Sequence, residues 1–532
     1  MKLKSIFVSM FALAALASCS NDDEVVNNLP SEVSTGAYLS LAVNMPQSTH
    51  TRATGDAGPG ESEGTADEQK ATSALVVGLL KDMSVAVYDL TTAEIGTPGV
   101  NNGKAAAGDA FQVSPDLQKI FVVINPSAAT RTQMVGATAM NQIFNVIEEE
   151  VGKVTTANNF MMTSDGSKGD GAWVAVSPSI AASDKEADLN AAKDAAKAAP
   201  CEVEVDRVAA KATLTAFVKD PTNVVNGDAS VDGFLLNTTN KTFLPYAELV
   251  PYLLNGTAVT DAVYRKDFNW TALSMNADGT GDAANAFNWL HNFKLDAAGK
   301  KIPADNVWKN PATSEYCHEN TMEAAAQDYN NTTKMVIKAK FAPTGVDLGT
   351  SWFRVGGVIM TFEQLNASYA KASEGDKLKY SAFLNKLLGS TRTIGWTGEG
   401  KATDVTLDDL DKIDNGGYLA ATVENQNNTN MYLIEYFQKS VCYYDINIKH
   451  DNRVAAKELG RWGMVRNNWY TLGINKISKP GKPYIPDPTD PDITDPTNPD
   501  PEHPTPDDQD NAFISVSISV NNWTTWSQGV DL

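Results

Sequence analysis

Cysteine, histidine and basic side chains are all scarce in this chain. Four cysteines in 532 residues exclude a scaffold built on disulfides. Five histidines leave little from which to build a multi-histidine metal centre. Lys and Arg number 43 against 65 Asp and Glu, a formal charge of −22. Phosphate backbones need a basic surface, so nucleic acid is excluded as a partner, and peripheral binding to anionic lipid is disfavoured for the same reason. After residue 16 no run is apolar enough to span a bilayer. What is present is 42% hydrophobic, enough for real cores, in a chain long enough for roughly two to four domains.

The first residues have signal-peptide proportions. Lys2 and Lys4 precede an apolar stretch from Ile6 to Leu16, which is too short to cross a membrane. It ends in Leu16-Ala17-Ser18-Cys19, which resembles a bacterial lipobox, so Cys19 is expected to be lipidated and to become the new amino terminus. Several acyl chains would then hold the chain on a membrane, since one chain anchors only marginally. Everything after Cys19 is expected to be extracytoplasmic.

Residues 37–45 alternate: Ala37, Leu39, Leu41, Val43 and Met45 share one face, with Ser40 and Asn44 on the other. The pattern predicts a half-buried strand. Residues 47–70 are rich in Ser, Thr, Gly, Asp and Glu and read as an exposed loop carrying Arg52. Strand-like runs follow at 75–90, 111–113, 120–125 and 201–218, then at 233–239, 334–343, 352–362, 431–437 and 441–449. Alanine-rich stretches near 128–150 and 181–199 read as helices, as does the segment from Phe362 to about Leu388. Strands outnumber helices, which predicts a mainly β protein of two β-sandwich domains with helical insertions.

Residues 480–510 are mostly proline, aspartate and glutamate. Such a segment cannot fold a core and is expected to be a stiff spacer, with a reach of about 100 Å at ~3.1 Å per residue. It lacks the glycine and terminal glutamate of a calcium-binding loop, so no metal site is expected there. Beyond it, Ile514, Val516, Ile518 and Val520 alternate with Ser515, Ser517 and Ser519, and Trp523 follows. A lone strand buries nothing. It either folds back on its own domain or pairs with another molecule by strand addition.

Enzyme motifs do not survive inspection. Gly395 to Lys401 fits the start of a phosphate-binding loop, but Ala402 stands where a Ser or Thr belongs. Ser368 and Lys371 have the spacing of a penicillin-binding nucleophile, without its Lys-Thr-Gly partner. Cys317-His318-Glu319 has the right residue types, but adjacent residues do not face one another and the segment reads as a loop. Carboxylate pairs are uninformative in so acidic a chain. No enzymatic activity and no cofactor are expected.

Several segments stand out together: the lipobox at Cys19, the acidic Ser20-Asn21-Asp22-Asp23-Glu24, Thr51-Arg52-Ala53 after the first strand, Val205-Asp206-Arg207-Val208-Ala209-Ala210-Lys211, Met464 to Ile477 with its Arg466-Asn467-Asn468, the Pro/Asp spacer and the terminal strand with Trp523. In this order they resemble the type V fimbrial subunits of Bacteroidota, most closely the major shaft subunit of the minor (short) fimbriae. The resemblance implies two transthyretin-like β-sandwich domains and a carboxyl-terminal donor strand. It divides the chain into a signal peptide (1–18), a lipidated propeptide with a removable first strand (19–52), an amino-terminal sandwich (53–220), a carboxyl-terminal sandwich (221–479), the spacer (480–510) and the donor strand (511–532). It further implies an outer-membrane lipoprotein precursor, cut between Arg52 and Ala53 by an arginine-specific protease. The strand bearing Leu39, Leu41, Val43 and Met45 then leaves a groove. A neighbouring copy's Ile514, Val516, Ile518 and Val520 fill it, and Trp523 seals its end. The expected partners are copies of the same chain in a homopolymer, anchor and tip subunits, and the outer membrane through lipid, with a role in adhesion. The rival reading is an anchored surface lipoprotein that captures glycans through some of its ten tryptophans; it predicts a monomer with no need of cleavage.

Overall fold

In the computed structural model the chain is mainly β, in several sheets. The structure describes residues 36–45, 64–99, 104–148, 150–165, 172–254, 331–355, 357–370, 417–425, 428–451, 453–483 and 514–522, with shorter stretches within 256–328 and single residues within 375–384.

The chain enters through β1 (Ala37–Leu39) and β2 (Leu41–Asn44). The apolar run at 75–90 folds as a hairpin of β3 (Ala74–Leu80) and β4 (Val85–Leu90). Then come β5 (Phe111–Val113), β6 (Leu117–Ile124), β7 (Met162–Ser164), β8 (Ser179–Ile180) and β9 (Cys201–Arg207). The main sheet runs β2-β9-β7-β6-β3-β4, with Val174–Ala175 added on β6, and a small sheet runs β8-β1-β5. β3 throughout, and β6 from Ile120 to Ile124, are continuously apolar because both faces of the main sheet are covered there. Val76, Ile120 and Val122 face the core shared with β1 and β5. Leu75, Val77, Phe121 and Val123 face a second core that includes Met134 of helix α1 (Ala128–Val135) and Ile143 of helix α2 (Met140–Phe144). Ser127 caps α1, its Oγ accepting from the Thr130 N–H at 3.0 Å. Helix α3 (Glu186–Ala198) lies on β1 and β8.

The run 201–218 does not stay in one sheet. β9 ends at Arg207, and β10 (Ala209–Leu214) joins a different sheet, ordered β12-β10-β19-β20. The sheet changes at Val208, and β10, although within residues 53–220, pairs with strands from the later part of the chain, which together with it are here called the carboxyl-terminal body. The remaining strands of that body are β11 (Gly227–Asn237), β12 (Ser314–His318), β13 (Lys334–Pro343), β14 (Trp352–Val355), β15 (Val358–Met360), β16 (Gly417–Asn425), β17 (Asn428–Phe437), β18 (Val441–Asn447), β19 (Asn468–Ile477) and β20 (Ile514–Asn522). β11-β13-β18 form a second sheet. One core takes Ala210, Leu214, Tyr470 and Leu472 from the first sheet and Phe234, Ile337, Ala339 and Ile446 from the second. A third sheet, β15-β14-β17-β16, splits the run 352–362 at Gly357, whose φ of 85° suits the turn. Helix α4 covers Phe362–Ala370; the continuation expected to Leu388 lies almost wholly outside the described residues.

Two more readings change. Cys317 and His318 end β12, a strand and not a loop, and alternate strand residues face opposite ways. Cys317 packs in the core, while His318 lies against Phe243 with ring centroids 4.6 Å apart. Residues 480–483, expected to begin the spacer, are held against the sheet. Tyr443 and Lys482 exchange backbone hydrogen bonds of 2.7 and 2.8 Å, so residues up to 483 close the edge of β18. Gly481 permits this approach, since a Cβ there would lie 2.2 Å from the Tyr443 carbonyl oxygen.

Cys201, Cys317 and Cys442 are thiols. Burial raises the pKa of both core thiols, that of Cys442 to about 12. A thiol reagent at neutral pH is therefore expected to label half-buried Cys201 at least about tenfold faster than the other two, because the thiolate is the reactive form. Peptide mass spectrometry over a time course checks this; equal rates would contradict the packing.

Candidate functional site

Leu39, Leu41, Val43 and Met45 point with Ala37 into the amino-terminal core, and none is more than 4% exposed. They share it with Phe111 and Val113 of β5 and Val203 and Val205 of β9. Ser40 is the point at which the strand changes sheets. Before it, β1 pairs antiparallel with β5 and β8. After it, β2 pairs parallel with β9, Leu41 opposite Cys201 through Asn44 opposite Glu204. The Cys201 N–H donates to the Ser40 carbonyl at 2.8 Å. The outer edge of β2 is closed as well. Gly108 N–H donates to Leu41 O, Gly99 N–H donates to Val43 O, and Met45 N–H donates to Gly99 O, each at 2.9 Å.

The segment is therefore not half-buried. Tyr38 lies under α3 with Ala192 and Ala196, and the Lys193 ammonium sits 5.2 Å from its ring centroid. Ser40 is fully buried, its hydroxyl donating to Gly108 O at 2.8 Å. The period-2 pattern identifies the core face. The helix and the Gly108 carbonyl that cover Tyr38 and Ser40 come from elsewhere in the chain. Five buried apolar side chains contribute roughly 1.5–3 kcal/mol each before ordering costs, so this segment is a substantial part of the core it enters.

The carboxyl-terminal strand β20 pairs antiparallel with β19, from Asn522 opposite Asn468 to Ile514 opposite Ile477. Val520 lies opposite Tyr470 and Ile518 opposite Leu472; Tyr470 and Leu472 are the members of the carboxyl-terminal core. The terminal segment thus sits on its own chain, at the edge of the sheet. Cys19, Arg52, Ala53 and Trp523 lie outside the described residues.

The two internal motifs meet in space, which their separation in sequence does not reveal. Asn467, at φ 57°, donates from Nδ2 to Asp206 Oδ1 at 2.6 Å and accepts at Oδ1 from Arg207 Nη1 at 3.2 Å. Arg466 is fully buried, ion-paired with buried Glu319, and donates to the carbonyls of Leu244 (2.7 Å) and Pro245 (3.1 Å). Burial lowers the Arg207 pKa to about 10, against the pull of Glu68 and Asp206. Arg265 is lowered to about 10 by burial and by Arg466. These charges sit where the two bodies join. Among the described residues no group of three or more His, Cys, Asp or Glu is placed to hold a metal ion, and no helix is long and apolar enough to cross a membrane.

Residues 435–529 match the family described as the carboxyl-terminal part of fimbrillin, the major fimbrial subunit protein type IV. That range runs from the end of β17 through β18, β19 and β20. Solved structures that resemble the chain include a candidate cell adhesion protein from Parabacteroides distasonis (11% identity, TM-score 0.43, covering 92% of this chain and 100% of that one). A fimbrilin from Porphyromonas gingivalis resembles it at 12% identity and TM-score 0.35, over 94% and 99%. The carboxyl-terminally truncated tip fimbrial protein Mfa3 of the same organism does so at 12% identity and TM-score 0.31, over 83% and 95%. A comparison with curated protein sequences gives no match.

Proposed function

We propose that this chain is a structural subunit of a cell-surface fimbrium, a major shaft subunit of the minor type, and that it polymerises by exchange of strands after proteolysis. The fimbrillin match over 435–529 carries this reading. The first strand supports the mechanism. Its removal would expose the backbone edges of β5, β8 and β9 together with an apolar slot, and the terminal strand has the same period-2 pattern to offer. In this reading the precursor is held in the outer membrane by lipid on Cys19, an arginine-specific protease cuts after Arg52, and the mature chain begins at Ala53. Copies of the chain then join one another, with anchor and tip subunits at the ends, and the fibre serves adhesion. No catalytic step belongs to the chain itself.

The test is assembly from purified precursor. Treatment with a trypsin-like protease should yield a ladder on an unheated SDS gel, with Ala53 at the new amino terminus. Arg52→Ala should leave monomers. Assembled material that began at Cys19 would overturn the maturation step. Reductant should leave the ladder intact, because Cys317 and Cys442 are buried in the carboxyl-terminal core and no disulfide joins any of the three cysteines.

A further inference from the structure

Residues 64–70, a short distance after Arg52 in sequence, lie across the join between the two bodies. Glu68 is 1% exposed although its neighbours Asp67 and Gln69 are not buried. Its carboxylate accepts from Lys211 Nζ of β10 at 3.0 Å, from Tyr316 Oη of β12 at 2.5 Å and from the Thr65 N–H at 2.7 Å. Its carbonyl oxygen accepts from Arg207 Nε of β9 at 3.0 Å. Lys211 also lies over the Trp469 ring of β19, 4.1 Å from its centroid. Flanking residues hold the amino-terminal body: Asp67 O accepts from Asn158 N–H at 2.8 Å, and Lys70 O accepts from Asn125 Nδ2 at 2.6 Å.

We infer that residues 64–70 are a strap that locks the two bodies together and that Glu68 is its positioning residue. The strap keeps the chain downstream of the processing site fixed to the carboxyl-terminal body when residues 37–45 leave. The second statement rests on the proposed maturation; the first does not. A carboxylate at this depth is tolerated only because Lys211, Arg207 and Tyr316 face it, and those cations are tolerated only because it faces them. Burial already lowers the Lys211 pKa, opposed by Glu68, and raises that of Tyr316. Removing the carboxylate leaves Lys211 buried with its principal counter-charge gone.

The test uses the full precursor chain. Glu68→Gln should lower the unfolding midpoint by several degrees and cost residues 64–70 at least tenfold in hydrogen-exchange protection. The double variant Glu68→Gln with Lys211→Met should recover most of the midpoint, since it removes the stranded charge. The deficit of the single variant should also shrink as pH rises from neutral toward the ordinary lysine range, near about 10. In that variant Lys211 has a depressed folded pKa, the unfolded chain binds more protons, and stability relative to the native sequence rises with pH. An unchanged midpoint and protection, or a deficit that Lys211→Met does not relieve and pH does not alter, would overturn the lock. After cleavage at Arg52, protection at 64–70 should persist in the native chain and be lost in Glu68→Gln. Its loss from the cleaved native chain would overturn the retention of the strap. A chain that resists cleavage would instead sink the maturation reading, with the lock still decided by the uncleaved variants.

Discussion

Leu41→Asp is expected to destabilise the uncleaved chain by about 4 kcal/mol or more while leaving assembled mature fibre unaffected. Leu41 is fully buried at the junction of two sheets. Truncating a side chain of this kind costs about 2–5 kcal/mol, and an unpaired buried carboxyl adds to that. The introduced carboxyl would take up a proton more readily in the folded chain than in the unfolded one. Its folded pKa is thereby raised, so the deficit should shrink as pH falls toward the ordinary aspartate range. Asn44→Asp is the control: Asn44 is the one residue of 37–45 that is not buried, and its cost should be under about 1 kcal/mol, the usual scale for surface changes. Urea unfolding of precursor and depolymerisation of fibre are the two measurements. Equal damage to both would show that 37–45 stays with the mature protein.

The amino-terminal strand was half legible in the sequence. Alternation at Ala37, Leu39, Leu41, Val43 and Met45 reports a single core contact, and all five are in that core. Burial of Tyr38 and Ser40 depends on α3 and on Gly108, contacts over long sequence separations that no local period encodes. The change of sheet at Val208 was hidden for a related reason. β9 and β10 are both strand-like, and Asp206 and Arg207 before the crossing are buried like Ala209 and Ala210 after it, so no exposed turn marks the change. Glu319 misled in the other direction. It stands in the segment read as a loop, yet it is fully buried, and its ion pair is with Arg466, far along the chain. Motif resemblance singled out 205–211 and 464–477 without giving a reason for their residues. The reason is physical: Asp206, Arg207 and Asn467 are hydrogen-bonded to one another in a buried cluster, and Arg466 beside them is buried in an ion pair with Glu319.

Deleting residues 511–532 should leave a soluble, cleavable subunit that no longer elongates fibres. In the monomer the terminal strand occupies the edge of β19, so its removal bares that edge and should lower stability modestly. The same geometry complicates the natural rescue experiment. On the proposed mechanism a synthetic 511–532 peptide has two places to bind in the truncated chain, the vacated edge of β19 and, after cleavage, the slot left by 37–45. The uncleaved truncated chain separates them, because its slot is still filled by Leu39, Leu41, Val43 and Met45. Peptide should therefore raise the melting temperature of the cleaved truncated chain well beyond any rise in the uncleaved one. At 100 times the dissociation constant the added stability is about 2.7 kcal/mol. Register sets which residues matter. A slip of one position would present the serines in place of the apolar set, so Ile518→Asp in the peptide should abolish the excess shift and Ser517→Asp should reduce it only partly. If the rise is the same with and without cleavage, the peptide binds β19 alone. Should full-length mature chains still polymerise in that case, the strand that fills the slot comes from somewhere other than 511–532.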